Sequence, residues 1–369
     1  MPPTTPTPIK LAILDDYQNV ARPHFTHLGP QFEITVFPDT LLPYSHPTTP
    51  NDVKVQLVER LKPFTVISTM RERTPFPEAL LKRLPNLKLL LTTGLRNAAI
   101  DLETARELGI HVTGSVGQWV GNNAPPVERP KGLDTVTEHN IALILGIARR
   151  LAFNDLEVKC GGWQTGLVTG LGGKVFGAVG LGRLGVNSAR ILHQAFGMRV
   201  LAWSTSLTQE VADEKAKTVG LPVEDENGEK VFKVVSKEEL FKQADFVSIH
   251  YVLSERSVGI VGRSDLTLMK KSACFINISR GELVDEMALL DTLESGAIRG
   301  AALDVFNIEP LPKDSRWRSQ KWGTEGRSQV LLSPHMGYVE EGIMERLYIE
   351  QAEITRRWHE GEELMNVMA

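Results

Sequence analysis

Short apolar runs, each followed by a stretch whose apolar residues recur at helical spacing, repeat down almost the whole chain. IKLAIL, FEITVF, FTVIST and LKLLLTT come first, and KVFGAV, MRVLAW, DFVSIH, ACFINIS, GAALDV and VLLSPH follow after a break. Strands that alternate with helices are joined by crossovers, which align the strands in parallel and cover the faces of the sheet. The pattern therefore predicts an α/β protein. The break falls in Gly114 to Gly132, GSVGQWVGNNAPPVERPKG, too rich in Gly, Pro and Asn for a regular element and read as an interdomain loop. Beyond it, Thr135 to Leu151 has few polar interruptions, which predicts a mostly buried helix bridging the two halves. The final amphipathic stretch, Glu340 to Glu360, is expected to cross back onto the first half. The expected organisation is two doubly wound parallel-sheet domains, one built from residues 1–132 and 336–369, the other, 133–335, inserted into it.

The 369 residues suit two domains, and 41 basic against 45 acidic residues give a net charge of −4. Such a balance creates no field that would collect nucleic acid or an anionic membrane, so an anionic ligand must be held locally. Cys160 and Cys274 offer neither a CxxC nor a metal-ligand spacing, so free thiols, a reducing compartment and no metal are expected. No apolar run approaches the ~18 residues of a membrane span, and the opening MPPTTPTP lacks the apolar core of a secretory signal. The cytoplasm is the expected location.

One turn carries a specific ligand signal. KVFGAVGLGRLG sets Gly180, Gly182 and Gly185 in GxGxxG spacing directly after a predicted strand and before a helix from Arg183 to Phe196. One glycine permits the tight turn, the next lets the backbone approach a pyrophosphate, and the third lets helix and strand pack closely. The helix opening at Arg183 and Leu184 supplies amide donors and a partial positive charge, so phosphates can bind without a basic surface. The strand and helix around the turn point to a dinucleotide-binding Rossmann unit, with NAD or NADP as cofactor. Where such units usually place an acidic residue for the adenosine ribose, VLAWSTS offers Ser204. Ser204, Thr205 and Ser206 can donate to a ribose hydroxyl or to a 2′-phosphate, or form a plain polar turn. With no acid to repel the phosphate and no Arg to clamp it, both cofactors are expected to serve, NADPH slightly favoured.

Open α/β sheets bind ligands outside the carboxyl ends of their strands. Arg280 follows ACFINIS, Asp304 ends GAALD, Glu309 lies in the loop beyond it, and His335 follows VLLSP. These residue types suit hydride transfer to a carbonyl beside a carboxylate. The developing oxyanion needs a general acid near neutral pKa, which His335 can be. A carboxylate at Glu309 would fix the imidazole's tautomer and stabilise the imidazolium. The Arg280 guanidinium could grip the carboxylate and carbonyl in a fork.

GLGRLG, NISRGELVD (Asn277 to Asp285), ALDVFNIEP (Ala302 to Pro310) and SPHMG (Ser333 to Gly337) resemble, in order and spacing, the signatures of the D-isomer-specific 2-hydroxyacid dehydrogenases. TTGLRNAAID (Thr92 to Asp101) is similar to the family's substrate loop, and VTEHNIALIL to its interdomain helix, so the likeness covers nearly the whole chain. The resemblance implies a Rossmann domain inserted into a flavodoxin-like substrate domain. It also implies that Arg280 binds substrate, His335 is the acid/base and Glu309 its partner. Asp304 would take the nicotinamide carboxamide, Thr137 would lie near the cofactor, and amides near Gly94, Leu95 and Arg96 would receive the substrate carboxylate. Arg71 and Arg73, in STMRERTPF, belong either to the same cleft or to a solvated loop. The Gly114–Gly132 stretch and the segment after Pro312 are longer than the family's usual pattern. The implied activity is reduction of a 2-oxo acid, glyoxylate- or hydroxypyruvate-like or larger, by a homodimer. Its alternatives are a dinucleotide-sensing corepressor or scaffold without turnover, and a dehydrogenase of formate, phosphite or an imine.

Overall fold

The computed structural model describes residues 7–117 and 134–369. The described residues form two compact units, one drawn from both ends of the chain, up to 117 and from Val339 to Ala369, the other from 134 to Tyr338.

In the first unit, β1 (Ile9–Ile13), β2 (Phe32–Val36), β3 (Val66–Thr69), β4 (Leu89–Thr93) and β5 (His111–Ser115) form a five-stranded sheet in the order β2-β1-β3-β4-β5. Every pairing is parallel, the order of a flavodoxin-like sheet. All residues of β3 and β4 are buried, as expected of central strands covered on both faces. β5 escapes the apolar-run pattern because it opens on exposed His111 and contains Gly114. The stretch from Gly114 therefore begins as the end of β5 rather than as loop, and residues 118–133, which held the rest of the expected loop, lie outside the described residues. The helix Glu341–Glu360 packs on β4 and β5 and buries Tyr348, Gln351, Ala352 and Ile354.

The second unit holds β6 (Val175–Val179), β7 (Arg199–Trp203), β8 (Phe232–Val234), β9 (Phe246–Ile249), β10 (Cys274–Asn277), β11 (Gly300–Leu303) and β12 (Gln329–Leu332). They form one parallel sheet in the order β12-β11-β10-β9-β6-β7-β8. The sheet has one strand more than the six apolar runs, because three-residue β8 is too short to show a period. Alternate side chains of β6 feed two cores. Phe176 and Ala178 face the helices Thr135–Ala148 and Arg183–Phe196, and Val175 and Val179 face the opposite layer. The helix Arg183–Phe196 buries Val186, Ala189 and Leu192 along one stripe and stops at Gly197, whose φ of 64° suits the left-handed cap. The long helix expected to reach Leu151 ends at Ala148. Arg150, at φ 53°, breaks the chain direction, and a separate helix, Leu151–Lys159, follows with no buried side chain. The extension after Pro312 folds as a plug. Trp317 is buried in the core, its indole donates to Glu286 Oε1 (2.9 Å), and Trp322 donates to the Trp317 carbonyl (2.9 Å).

Candidate active site

In the second sheet the chain reverses its direction of travel between β6 and β9, so the crevice rule places a ligand at their carboxyl ends. The glycine turn lies there. A Cβ on Gly180 (φ 99°) would sit 2.6 Å from the His250 carbonyl oxygen, and one on Gly185 would sit 2.3 Å from that of Gly180. Both positions must be glycine for the turn to close. A Cβ on Gly182 would meet nothing within 4 Å, so the open space there is the side left for a ligand. The first-turn amides at Arg183, Leu184 and Gly185 have no intrahelical acceptors, which completes a fit to a pyrophosphate.

Asp134, which the motif reading missed, braces this turn. Its carboxylate caps the helix Thr135–Ala148 through the Thr137 amide (3.0 Å) and also accepts from Thr137 Oγ1 (2.9 Å), Asn187 Nδ2 (3.2 Å) and Arg183 Nη1 (2.9 Å). Partial burial opposes its ionisation, but these donors hold its pKa below the ordinary carboxylate value. Thr137, expected near the cofactor, is fully buried with its hydroxyl turned onto Asp134, so any influence it has on the turn passes through that carboxylate. An Asp before a predicted helix start is a legible cap signal, and it was available in DTVTE.

Past β7, Ser204, Thr205 and Ser206 occupy the turn where the ribose-recognition residue was expected. The Thr205 amide and hydroxyl are already bonded to the Tyr251 hydroxyl, at 3.2 and 2.8 Å. No motif signalled Tyr251.

The catalytic candidates rise from three adjacent parallel strands. Asn277, Leu303 and Leu332 are in register, and Arg280, Asp304 and His335 lie just beyond them at one edge. The loops interlock closely, since a Cβ on Gly281 would fall 2.2 Å from the Phe306 carbonyl carbon. His335 Nδ1 meets Glu309 Oε2 at 2.7 Å, and Glu309 Oε1 accepts from the Phe306 amide at 2.9 Å. An ionised carboxylate only accepts, so Nδ1 carries the hydrogen of this contact. The imidazole also packs edge-on against Tyr338, with ring centroids 5.6 Å apart. Arg280 is partly buried, its guanidinium donating to the Ser279 carbonyl at 2.8 Å.

Asp304 is placed differently from the expectation of carboxamide binding. It is 1% exposed, and its carboxylate accepts from Ser333 Oγ (2.6 Å), the Met336 amide (2.8 Å), the Gly337 amide (3.1 Å) and His139 Nε2 (3.0 Å). Four donors match the roughly four acceptor sites of a carboxylate. Burial alone would raise its pKa, and these bonds instead hold it below the ordinary value. The donors flank His335, which sits at φ 56°, a left-handed backbone that a non-glycine residue keeps only when its surroundings enforce it. Asp304 therefore clamps the turn that presents the imidazole, and His139 and Ser333 complete the clamp.

In the first unit, Gly94, Leu95 and Arg96 follow β4, with Gly94 at φ 92°. The Gly94 amide donates to the Ser115 carbonyl at 2.7 Å, so it is committed; Leu95 and Arg96 are exposed. The Arg71 amide donates to Thr93 Oγ1 (2.9 Å), and Asn97 Nδ2 donates to the Arg71 carbonyl (2.7 Å), knitting the MRER turn to this loop. Arg73 is buried, not solvated. It acts on Asp15, whose carboxyl burial pushes up to about 6 against hydrogen bonds from Thr40 and Thr74. Among the described residues, no cluster of side chains could hold a metal ion, and no helix is long and apolar enough to cross a membrane. Cys160 and Cys274 are both free.

Residues 141–337 match the family described as D-isomer specific 2-hydroxyacid dehydrogenase, NAD binding domain. The chain belongs to this family. Among the family's members, a glyoxylate reductase of Thermococcus litoralis is 32% identical over 70% of this chain and 70% of its own length. A D-3-phosphoglycerate dehydrogenase of Methanocaldococcus jannaschii is 31% identical over 85% of this chain, which spans only 53% of that protein. A phosphoglycerate oxidoreductase from Vibrio cholerae superimposes with a TM-score of 0.76 at 33% identity, covering 96% of this chain and 99% of that one. The glycine turn, Arg280, Asp304, Glu309 and His335 all lie within the span that matches this dehydrogenase family, and its cofactor is a nicotinamide dinucleotide.

Proposed function

We propose that the protein reduces a 2-oxo acid to the D-2-hydroxy acid, and catalyses the reverse, with His335 as acid/base, Glu309 as its partner and Arg280 as the substrate clamp. The observation that carries this reading is the 2.7 Å contact of Glu309 with His335 Nδ1 in a turn fixed by Asp304. With Nδ1 held by the carboxylate, His335 Nε2 gives its proton to the carbonyl oxygen as negative charge develops there. Glu309 then faces an imidazole that has lost its charge, and in the oxidative direction it stabilises the imidazolium that forms. The Arg280 guanidinium holds the substrate carboxylate and carbonyl in one plane, which fixes the reacting carbon. The backbone amides of the glycine turn and of Arg183 and Leu184 hold the dinucleotide, which when bound supplies or accepts the hydride. Glyoxylate and hydroxypyruvate head the substrate class, in keeping with the names of relatives.

A panel of 2-oxo acids with NADH and NADPH, followed by nicotinamide absorbance, tests the reading. Turnover on an oxo acid that falls about 10²- to 10⁴-fold in His335→Asn, with dinucleotide affinity kept, is the expected result. Nucleotide binding without turnover on any oxo acid would sink it.

The same reading includes a homodimer. The helix Thr135–Ala148 is mostly buried, but the helix Leu151–Lys159 and the segment after it expose Leu151, Leu156, Val158, Trp163 and Leu167. So many exposed large apolar residues on one segment are unusual on a monomer. Light scattering at micromolar concentration should give twice the chain mass, and a monomeric mass refutes the dimer.

A further inference from the structure

We propose that the Tyr251 hydroxyl sets cofactor selectivity by occupying the Thr205 amide, the backbone donor that a 2′-phosphate would otherwise take. The inference rests on the dinucleotide reading of the second unit.

Tyr251 stands two residues past β9, Trp203 ends β7, and β6 with its glycine turn lies between those strands. The phenol thus bridges two strand ends across the switch point. Its ring stacks on Trp203, with centroids 6.2 Å apart and planes inclined by 23°. Lys237 Nζ lies 5.4 Å from the Trp203 ring centre, and its charge is already partnered by Asp265 at 2.6 Å. The stack fixes where the phenol oxygen sits, and that oxygen bonds both the amide and the hydroxyl of Thr205.

A phenol has one hydrogen and can accept from others. It accepts the Thr205 N–H, so between Tyr251 and Thr205 a single hydroxyl hydrogen remains for a ligand, together with spare lone pairs. A ribose 2′-hydroxyl, which donates and accepts, is well matched by that remainder. A 2′-phosphate is a doubly charged acceptor and needs donors, of which backbone N–H groups are the type that phosphate sites most often use. Ser204, Thr205 and Ser206 contribute no cation, and Lys237 is committed elsewhere. With the Thr205 amide withdrawn, a 2′-phosphate loses one backbone donor of this turn. The latch therefore offsets the slight preference for NADPH that the absence of an acid at Ser204 implied, and moves the balance toward NADH.

The test uses the adenosine end of each cofactor as probe. Dissociation constants of ADP and of adenosine 2′,5′-bisphosphate are measured by titration calorimetry on the full chain, as wild type, Tyr251→Phe and Thr205→Ala. Tyr251→Phe keeps the stack and frees the amide, so affinity for the bisphosphate relative to ADP should rise about tenfold to a hundredfold, the worth of one added hydrogen bond to an anion. Thr205→Ala keeps the amide latched and should leave the ratio within about twofold. An unchanged or lower ratio in Tyr251→Phe refutes the latch while leaving the dinucleotide reading intact, as does an equal rise in Thr205→Ala. Failure of both nucleotides to bind the wild type overturns the dinucleotide reading and the latch together.

Discussion

Asp304→Asn separates two roles that one carboxylate could play. Asp304 Oδ1 accepts from Ser333 Oγ, the Met336 amide and His139 Nε2, and Oδ2 accepts from the Gly337 amide. An asparagine has one carbonyl oxygen, and whichever way its amide turns, its NH2 group faces at least one donor. With the carbonyl toward the three-donor side, the buried Gly337 N–H loses its acceptor, at a cost of about 1–3 kcal/mol. The bonds that remain change from charged to neutral acceptors and weaken further. A total of about 2–4 kcal/mol lowers the melting temperature of the second unit by roughly 5–15 °C. The functional effect follows from His335, whose left-handed φ of 56° is no longer enforced. As the turn relaxes, the imidazole drifts from Glu309, and kcat should fall about 10²-fold while the dissociation constant for NADH stays within about twofold. Calorimetry, fluorescence titration of NADH and steady-state kinetics measure the three quantities. A tenfold loss of NADH affinity with an unchanged melting temperature would falsify the clamp and restore a direct role in holding the nicotinamide.

Arg280→Lys should raise KM for the 2-oxo acid at least about tenfold, because an ammonium cannot reproduce the two-pronged grip; an unchanged KM removes Arg280 from the clamp. Asp15→Asn should stabilise the first unit increasingly as pH rises from about 4 to 6, with the full gain above about 6. The folded-state pKa of Asp15 is raised from 3.8 to about 6 by burial, so stability tied to its neutral form is complete below pH 3.8 and is lost as pH rises through 6. The span corresponds to roughly 3 kcal/mol, an upper limit on the gain, and asparagine tolerates the φ of 62° found there. Urea unfolding at pH 4 and pH 7.5 decides it, and an equal effect at both pH values contradicts the burial argument. His250, buried with its pKa lowered to about 4, has the opposite sign: stability tied to its neutral form is complete above 6.5 and is lost as pH falls through 4. The second unit should therefore weaken in that window, and His250→Leu should abolish the dependence.

Much of this protein was legible in its sequence because parallel strands covered on both faces are continuous apolar runs, as FTVIST and LKLLLTT are. β5 and β8 were not, since a strand opening on an exposed His and one of three residues carry no period. The GxGxxG turn was readable because glycine is compelled there by contacts that a Cβ would break. Side chains that act by holding other side chains left no such trace. His139 looks like one more polar position on a helix, and Asp304 reads as a ligand group because sequence shows that it ends a strand, not that it faces inward. Tyr251 lies 46 residues from Thr205, a separation at which local pattern is silent.

The first unit closes only when the last part of the chain arrives. Glu350 Oε2 accepts from the Val116 and Gly117 amides, Gln351 receives the Ser68 hydroxyl, and the Met368 amide donates to the Val112 carbonyl. These partners are separated by more than 200 residues, and the stretch from 134 to Tyr338 that lies between them forms a unit with its own core. On the ribosome, synthesis moves from the amino terminus, so the second unit can condense while β1 to β5 wait without their covering helix. During that interval the central strands of the first sheet are an exposed apolar surface, and a chaperone that shields them would act there rather than on the nucleotide-binding half.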